Sequence, residues 1–206
     1  AFEQTSAWFA SRGLQCFRWS PAMDINPKPL AQFLSTRDFV PRRLVALHLA
    51  EWLSIEPSPN VRILPARALR DGLRETFHAA SLPADALSRD ALADSFMERL
   101  DDPQLDMFVA TVNKKPAGRC GLYQVGDIAR ILDLTVLPEF ADGGVATTLL
   151  AHVLAMARRL TMPMVVAQTA EQDAARRELL RRAGFIEDGR VMEFEFPSPF
   201  AAVPPV

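Results

Sequence analysis

Cysteine is nearly missing from this chain. Its 206 residues hold two, Cys16 and Cys120, too few and too far apart for a disulfide framework or a thiolate zinc site, and a reducing compartment suits them. The three histidines, His48, His78 and His152, are scattered without ligand spacing, so no metal centre is expected. Charge of one sign is lacking as well. Lys and Arg number 23 against 25 Asp and Glu, a net charge of -2, which removes the basic footprint of a nucleic-acid binder. No apolar run approaches the roughly 20 residues of a membrane span, and the first residues lack the basic start and apolar centre of a signal peptide. No Ser-His-Asp spacing or nucleophile elbow is present, so covalent catalysis is not indicated. The expectation is a cytoplasmic protein without nucleic-acid or membrane partners.

Apolar residues make up 49% of the chain, enough for a sizeable core. Residues 1–55 read as helix (Phe2 to Arg12), strand (Leu14 to Trp19) and helix (Leu30 to Arg37). The stretch after Leu44 is either a strand to Leu49 or a helix over Val45 to Leu53. Laid on Ala175 to Phe196, the segment Leu30 to Leu49 pairs Phe33 with Leu179, Leu34 with Leu180, Phe39 with Phe185 and Val45 with Val191. Residues 1–55 are thus an accessory segment that half-copies the C-terminal unit, or two amphipathic units alike by chance. Glu56 to Asn60, EPSPN, is the linker expected to separate this segment from a domain over 61–196.

Within that domain the pattern predicts a strand at Val61 to Leu64, helices at Ala66 to Ala80 and Ala84 to Leu100, and a hairpin of Leu105 to Val112 with Pro116 to Tyr123. Then come a buried strand from Arg130, a helix, a strand at Met164 to Gln168, a helix at Asp173 to Ala183 stopped by Gly184, and a strand at Arg190 to Phe196. Residues 197–206 form a proline-rich tail.

The stretch Arg130 to Leu160 organises the rest. A buried strand halts at Pro138, crosses a turn with Gly143 and Gly144, and enters a helix with Val145, Leu149, Leu150, Val153, Leu154 and Ala157 on one face. Strand, small-residue turn and helix N-terminus make an anion site, because first-turn N–H groups have no partner within the helix. The G-x-G-x-x-G of a dinucleotide fold is absent. The order V-x-P-E-F-x-x-x-G-x-A, carried by Val136, Pro138, Glu139, Phe140, Gly144 and Ala146, instead resembles the acyl-CoA-binding motif of GNAT-type N-acetyltransferases, Q/R-x-x-G-x-G/A. The unit ARRELLRRAGFIEDGR is similar to a second motif of that family, N-x-x-A-x-x-L-Y-x-x-x-G-F, at Leu179, Gly184 and Phe185. The likeness covers about Asn60 to Phe196, and the element order agrees.

The resemblance implies an α/β fold with a mixed sheet flanked by helices, and acetyl-CoA, or another acyl-CoA, as co-substrate with an amine acceptor. It implies that Ala141, Asp142, Gly143, Gly144, Val145, Ala146 and Thr147 hold the CoA pyrophosphate, that Leu134, Thr135 and Val136 pair with the pantetheine arm, and that Asp173 lies near the cofactor; the run Arg176, Arg177, Arg181 and Arg182 either approaches the CoA 3′-phosphate or forms a solvated helix face. The Val136 N–H, or that of Leu134, would polarise the thioester carbonyl. Asp133 is the candidate base, or else an ion-pair partner of Arg130 or Arg119. Departures stand at Ala141, in place of Gln or Arg, at Asp142, whose carboxylate would face a pyrophosphate unless it caps the helix or points to solvent, at Asp173, in place of Asn, and at Leu180, where the family often has a tyrosine acid. The only tyrosine is Tyr123. These departures leave two functions open, an N-acyltransferase or a non-catalytic acyl-CoA-binding module. A half-domain with an open sheet edge favours a homodimer.

Overall fold

The computed structural model describes residues 2–11, 18–20, 27–79 and 86–196. Strands β4 (Leu105–Val112) and β5 (Lys115–Val125) form the expected hairpin. Its two connecting residues, Asn113 and Lys114, have φ of 49° and 66°. Left-handed geometry at both positions matches a two-residue turn to the twist of its strands. β3 (Val61–Pro65) pairs antiparallel with β4, β6 (Ile128–Val136) pairs antiparallel with β5, and β7 (Met164–Ala170) runs parallel to β6. Beyond β7 comes β2 (Val40–Leu49), then β8 (Phe185–Glu195), with β1 (Arg18–Trp19) at the edge. All eight strands among the described residues belong to one sheet in the order β1-β8-β2-β7-β6-β5-β4-β3.

The undecided stretch after Leu44 is therefore a strand through Leu49. Partners on both sides settle it: Leu44 to His48 pair with β7, and the whole strand pairs with β8, burying Val45 and Leu47. Local pattern could not decide this, because the strand's neighbours lie more than 100 residues away in the chain. The strand expected from Arg190 begins five residues earlier, at Phe185. Asp188 is an extra residue there, opposite the step from Ala46 to Leu47, and such a bulge breaks the alternation by which strands are read.

The helices are α1 (Phe2–Ala10), α2 (Pro27–Ser35), α3 (Arg70–Ala79), α4 (Ala86–Arg99), α5 (Val145–Arg159) and α6 (Ala174–Arg182). The helix expected from Ala66 opens as a 3₁₀ turn, Ala66–Ala68, before α3. α5 buries the predicted stripe, Val145, Leu149, Leu150, Val153, Leu154 and Ala157, against Phe108, Ala110, Cys120, Leu122, Ile131 and Leu134. Each such Val or Leu contributes about 2 kcal/mol by leaving water. Met107 and Val109 point to the opposite face, as alternation requires, and pack with Leu73, Phe77 and Ala93 of α3 and α4. Leu34, Phe39 and Phe194 form a smaller cluster with Phe2 and Trp19, fastening α1 and α2 to β8. Of the strand expected at Leu14 to Trp19, residues 14–17 lie outside the described residues, as do Cys16 and the tail from Pro197.

Candidate functional site

β6 and β7 are partners at only three register positions, Ile128 with Met164, Ala129 with Val165 and Arg130 with Val166. Beyond these, β6 runs on to Val136 and β7 to Ala170 without pairing with each other. The cause lies in β6. Its register against β5 passes from Thr135 opposite Arg119 to Leu132 opposite Gly121, so Asp133 and Leu134 together face Cys120. Asp133 takes φ 47°. A bulge of this kind bends and twists its strand, turning β6 away from β7. The Leu137 N–H donates to Ala117 O (2.9 Å), and antiparallel positions alternate, so the Val136 N–H faces away from β5, toward the gap. Gly118 lets β5 approach here: a Cβ would lie 2.5 Å from Thr135 O.

Asp133 is not a free carboxylate. Arg119 Nε donates to its Oδ2 (2.5 Å) and Nη2 to its Oδ1 (3.3 Å), while Thr135 Oγ1 donates to Oδ1 (2.8 Å). Of the alternatives for this residue, the ion pair with Arg119 is the one formed. Arg130 instead bonds Gln168 (2.6 Å). Burial, with the Asp133 charge next in effect, pushes the Cys120 thiol far up, and the charge of Arg176 opposes the shift.

The turn after Phe140 stands at the mouth of the gap. A 3₁₀ turn, Pro138–Phe140, is followed by Gly144 at φ 70°, the N-cap of α5, and no side-chain hydrogen bond caps the helix. Gly143 N–H is used within the turn, on Phe140 O (3.1 Å), whereas the first-turn amides of Val145, Ala146 and Thr147 have no intrahelical partner. Ala141, Asp142 and Gly143 are exposed, Gly144, Ala146 and Thr147 half-buried. Asp142 points to solvent rather than capping the helix. Thr148, by contrast, is committed: it accepts from Ser58 N (2.9 Å) and donates to Gly144 O (2.9 Å).

Asp173 caps α6, its Oδ1 accepting from Arg176 N (2.9 Å), and its Oδ2 lies 3.3 Å from Arg176 Nε. Arg177 pairs with Glu187 (3.2 Å) and Arg181 with Glu178 (2.8 Å), as on a solvated helix face. Leu180 is buried in the main core. Tyr123 bonds Gln104 (3.3 Å), in the β5 half that precedes the turn at Gly126, away from the bulge.

Residues 67–185 match the sequence model of the acetyltransferase (GNAT) family. The chain belongs to the GNAT family. Members of this family transfer acyl groups from acetyl-CoA to amines. No curated protein matches the sequence significantly. Among solved structures, a functionally unknown conserved protein of Staphylococcus epidermidis superposes with TM-score 0.65 at 16% identity, covering 94% of this chain and 77% of that one. A GCN5-related N-acetyltransferase of Sphaerobacter thermophilus gives 0.58 at 17%, over 94% of this chain and 66% of that one. This GNAT chain thus spans just under two thirds of the latter's length. AAC(6')-Iy, in complex with the bisubstrate analog CoA-S-monomethyl-acetylneamine, gives 0.52 at 17%, over 63% of this chain and 92% of that one. At such identities the likeness is one of fold. No helix among the described residues is long and apolar enough to cross a membrane.

Sequence reading of this GNAT chain located the strand, the turn and the helix that follow one another here. It missed Gly118 and Thr76. An isolated glycine inside a strand is a signal for close backbone approach, and Gly118 carried that signal. Thr76, which joins Arg119 from α3, carried none. A cavity of about 450 Å³ on the flank of α5, between Trp52, Ile55, His152 and Arg158, lies apart from the parted strands.

Proposed function

We propose that this protein transfers an acetyl or other acyl group from its CoA thioester to an amine, by direct attack within a ternary complex. The observation that carries the reading is the parting of β6 from β7 after Arg130 and Val166, with the uncapped N-terminus of α5 at its mouth. The turn from Ala141 to Gly144 shapes the approach, and the first-turn amides of Val145, Ala146 and Thr147 grip the diphosphate, where unpaired N–H groups and the helix dipole favour anions. Leu134, Thr135 and Val136 offer main-chain groups to the pantetheine arm, and Asp173 and Arg176 flank the same end of the sheet. The neutral amine's nitrogen bonds to the thioester carbon, the C–S bond breaks, the thiolate leaves, and the proton lost from nitrogen passes through water to the departing sulfur. A Val136 N–H aimed at the developing oxyanion stabilises charge where it appears, and holding both reactants in one cleft supplies much of the remaining acceleration.

Buried Leu180, standing where a hydroxyl acid is common, favours a second reading, a module that binds acyl-CoA without turning it over. Calorimetry with acetyl-CoA, paired with thiol release across an amine panel, separates them. Binding with amine-dependent release supports the transferase; binding with no release on any amine supports the module; no binding removes both.

A further inference from the structure

We propose that Arg119 is a positioning residue for the transfer: it holds Asp133 in the left-handed bulge of β6 and thereby fixes where the Val136 N–H stands. The inference rests on the transferase reading above. Arg119 is 4% exposed, a depth at which a cation persists only with its bonds satisfied. Its three nitrogens are all engaged. Nε and Nη2 reach the two oxygens of Asp133, and Nη1 donates to Thr76 O (2.7 Å) and lies 3.2 Å from Thr76 Oγ1. The guanidinium also lies over the Phe77 ring, 3.7 Å from its centroid.

Two elements meet at this side chain. Thr76 belongs to the last turn of α3, where the final carbonyls lack intrahelical donors and the dipole favours a cation. Asp133 is the residue at which β6 leaves the regular ladder, and Thr135 bonds the same carboxylate from the position next to Val136. Arg119 therefore pins the bulge to a helix packed on the far face of the sheet from α5. The Asp133 oxygens are turned to Arg119 and Thr135, which assigns this carboxylate to the strand's shape rather than to the amine's proton. A planar fork is required, since one ammonium cannot span both oxygens and the Thr76 carbonyl.

The test uses the full chain and four proteins: wild type, Arg119→Met, Asp133→Asn and the double variant. Acetyl-CoA affinity is read by calorimetry, and kcat, KM and the pH profile of kcat/KM by thiol release. Each single variant is expected to lose about 10- to 100-fold in kcat, with acetyl-CoA affinity changed by less than about threefold. The acidic limb of the profile keeps its midpoint in Asp133→Asn. The double variant is no worse than the poorer single one, because both act through one bulge. If Arg119→Met fails to fold, the double variant, which buries no unpaired charge, carries the comparison with Asp133→Asn. Full kcat in the variants of an active wild type overturns this role alone. Loss of the acidic limb in Asp133→Asn also overturns it, making Asp133 the base. A wild type that neither binds acetyl-CoA nor releases thiol overturns the transferase reading and this role with it.

Discussion

Ser58 and Gly144 lie in contact where the strap before β3 crosses the turn into α5. A Cβ on Gly144 would stand 3.0 Å from the Ser58 Cβ, and Ser58 N is bonded to Thr148, which is bonded back to Gly144 O. The strap thus fixes the turn from behind while leaving its exposed side open.

Gly144→Ala should therefore be costly twice over, since φ 70° strains any side chain and Ser58 blocks the space. A loss of about 1–3 kcal/mol is expected, measured by urea unfolding. Acetyl-CoA binding should weaken in parallel, by calorimetry. An unchanged urea midpoint would mean that the turn relaxes freely.

Gly118→Ala tests the approach of β5 to β6. Its Cβ would meet Thr135 O at 2.5 Å, Val136 Cα at 3.2 Å and Val145 Cγ1 at 3.2 Å, two of them backbone atoms that cannot swing aside. Overpacking should cost about 1–3 kcal/mol and shift the Val136 donor, lowering kcat. Gly189→Ala, where nothing lies within 4 Å, is the control and should change stability by no more than about 0.5 kcal/mol.

Asp173→Ala removes the cap of α6 and leaves Arg176 N without its acceptor. A cost of about 1 kcal/mol is expected in thermal or urea unfolding. Asp173→Asn, which still accepts a hydrogen bond, should recover most of it.

A buried thiol and a half-buried imidazole contribute to the pH dependence of stability. The Cys120 thiol is held up by burial. Above roughly pH 9 the unfolded thiol ionises while the folded one stays protonated, so stability falls as pH rises, by up to about 1.4 kcal/mol per unit. His152 is held below its ordinary value by burial and then by the charge of Arg159. The unfolded histidine takes its proton first as pH falls through about 6.5, so stability also declines on the acid side. Urea midpoints from pH 5 to 10 check both, and Cys120→Ala should flatten the alkaline decline.

Within the GNAT core, elements with a clean local period were legible: the α5 stripe at every position, the β4–β5 hairpin to within two residues, and the helix that starts after Asp173. What could not be read were features created by distant partners. Leu44 to Leu49 carries apolar residues compatible with either period until β7 and β8 flank it. The bulge at Asp133 leaves no mark in its own strand, since an aspartate in an apolar run is equally the sign of a buried ion pair, and Arg119 and Thr76 lie 14 and 57 residues away. The sheet order β1-β8-β2-β7 reads the same when β1 is exchanged with β7 and β2 with β8, the layout that a repeated helix-strand unit would produce.

Because β2 lies between β8 and β7 and pairs with both, the first and last strands of the described residues are interleaved like fingers of clasped hands. Cutting the chain at the EPSPN strap would not trim an appendage. It would bare two rows of main-chain donors and acceptors at once and set the last strand adrift, so a shortened version beginning at residue 56 should aggregate even though every residue matched to the family is retained.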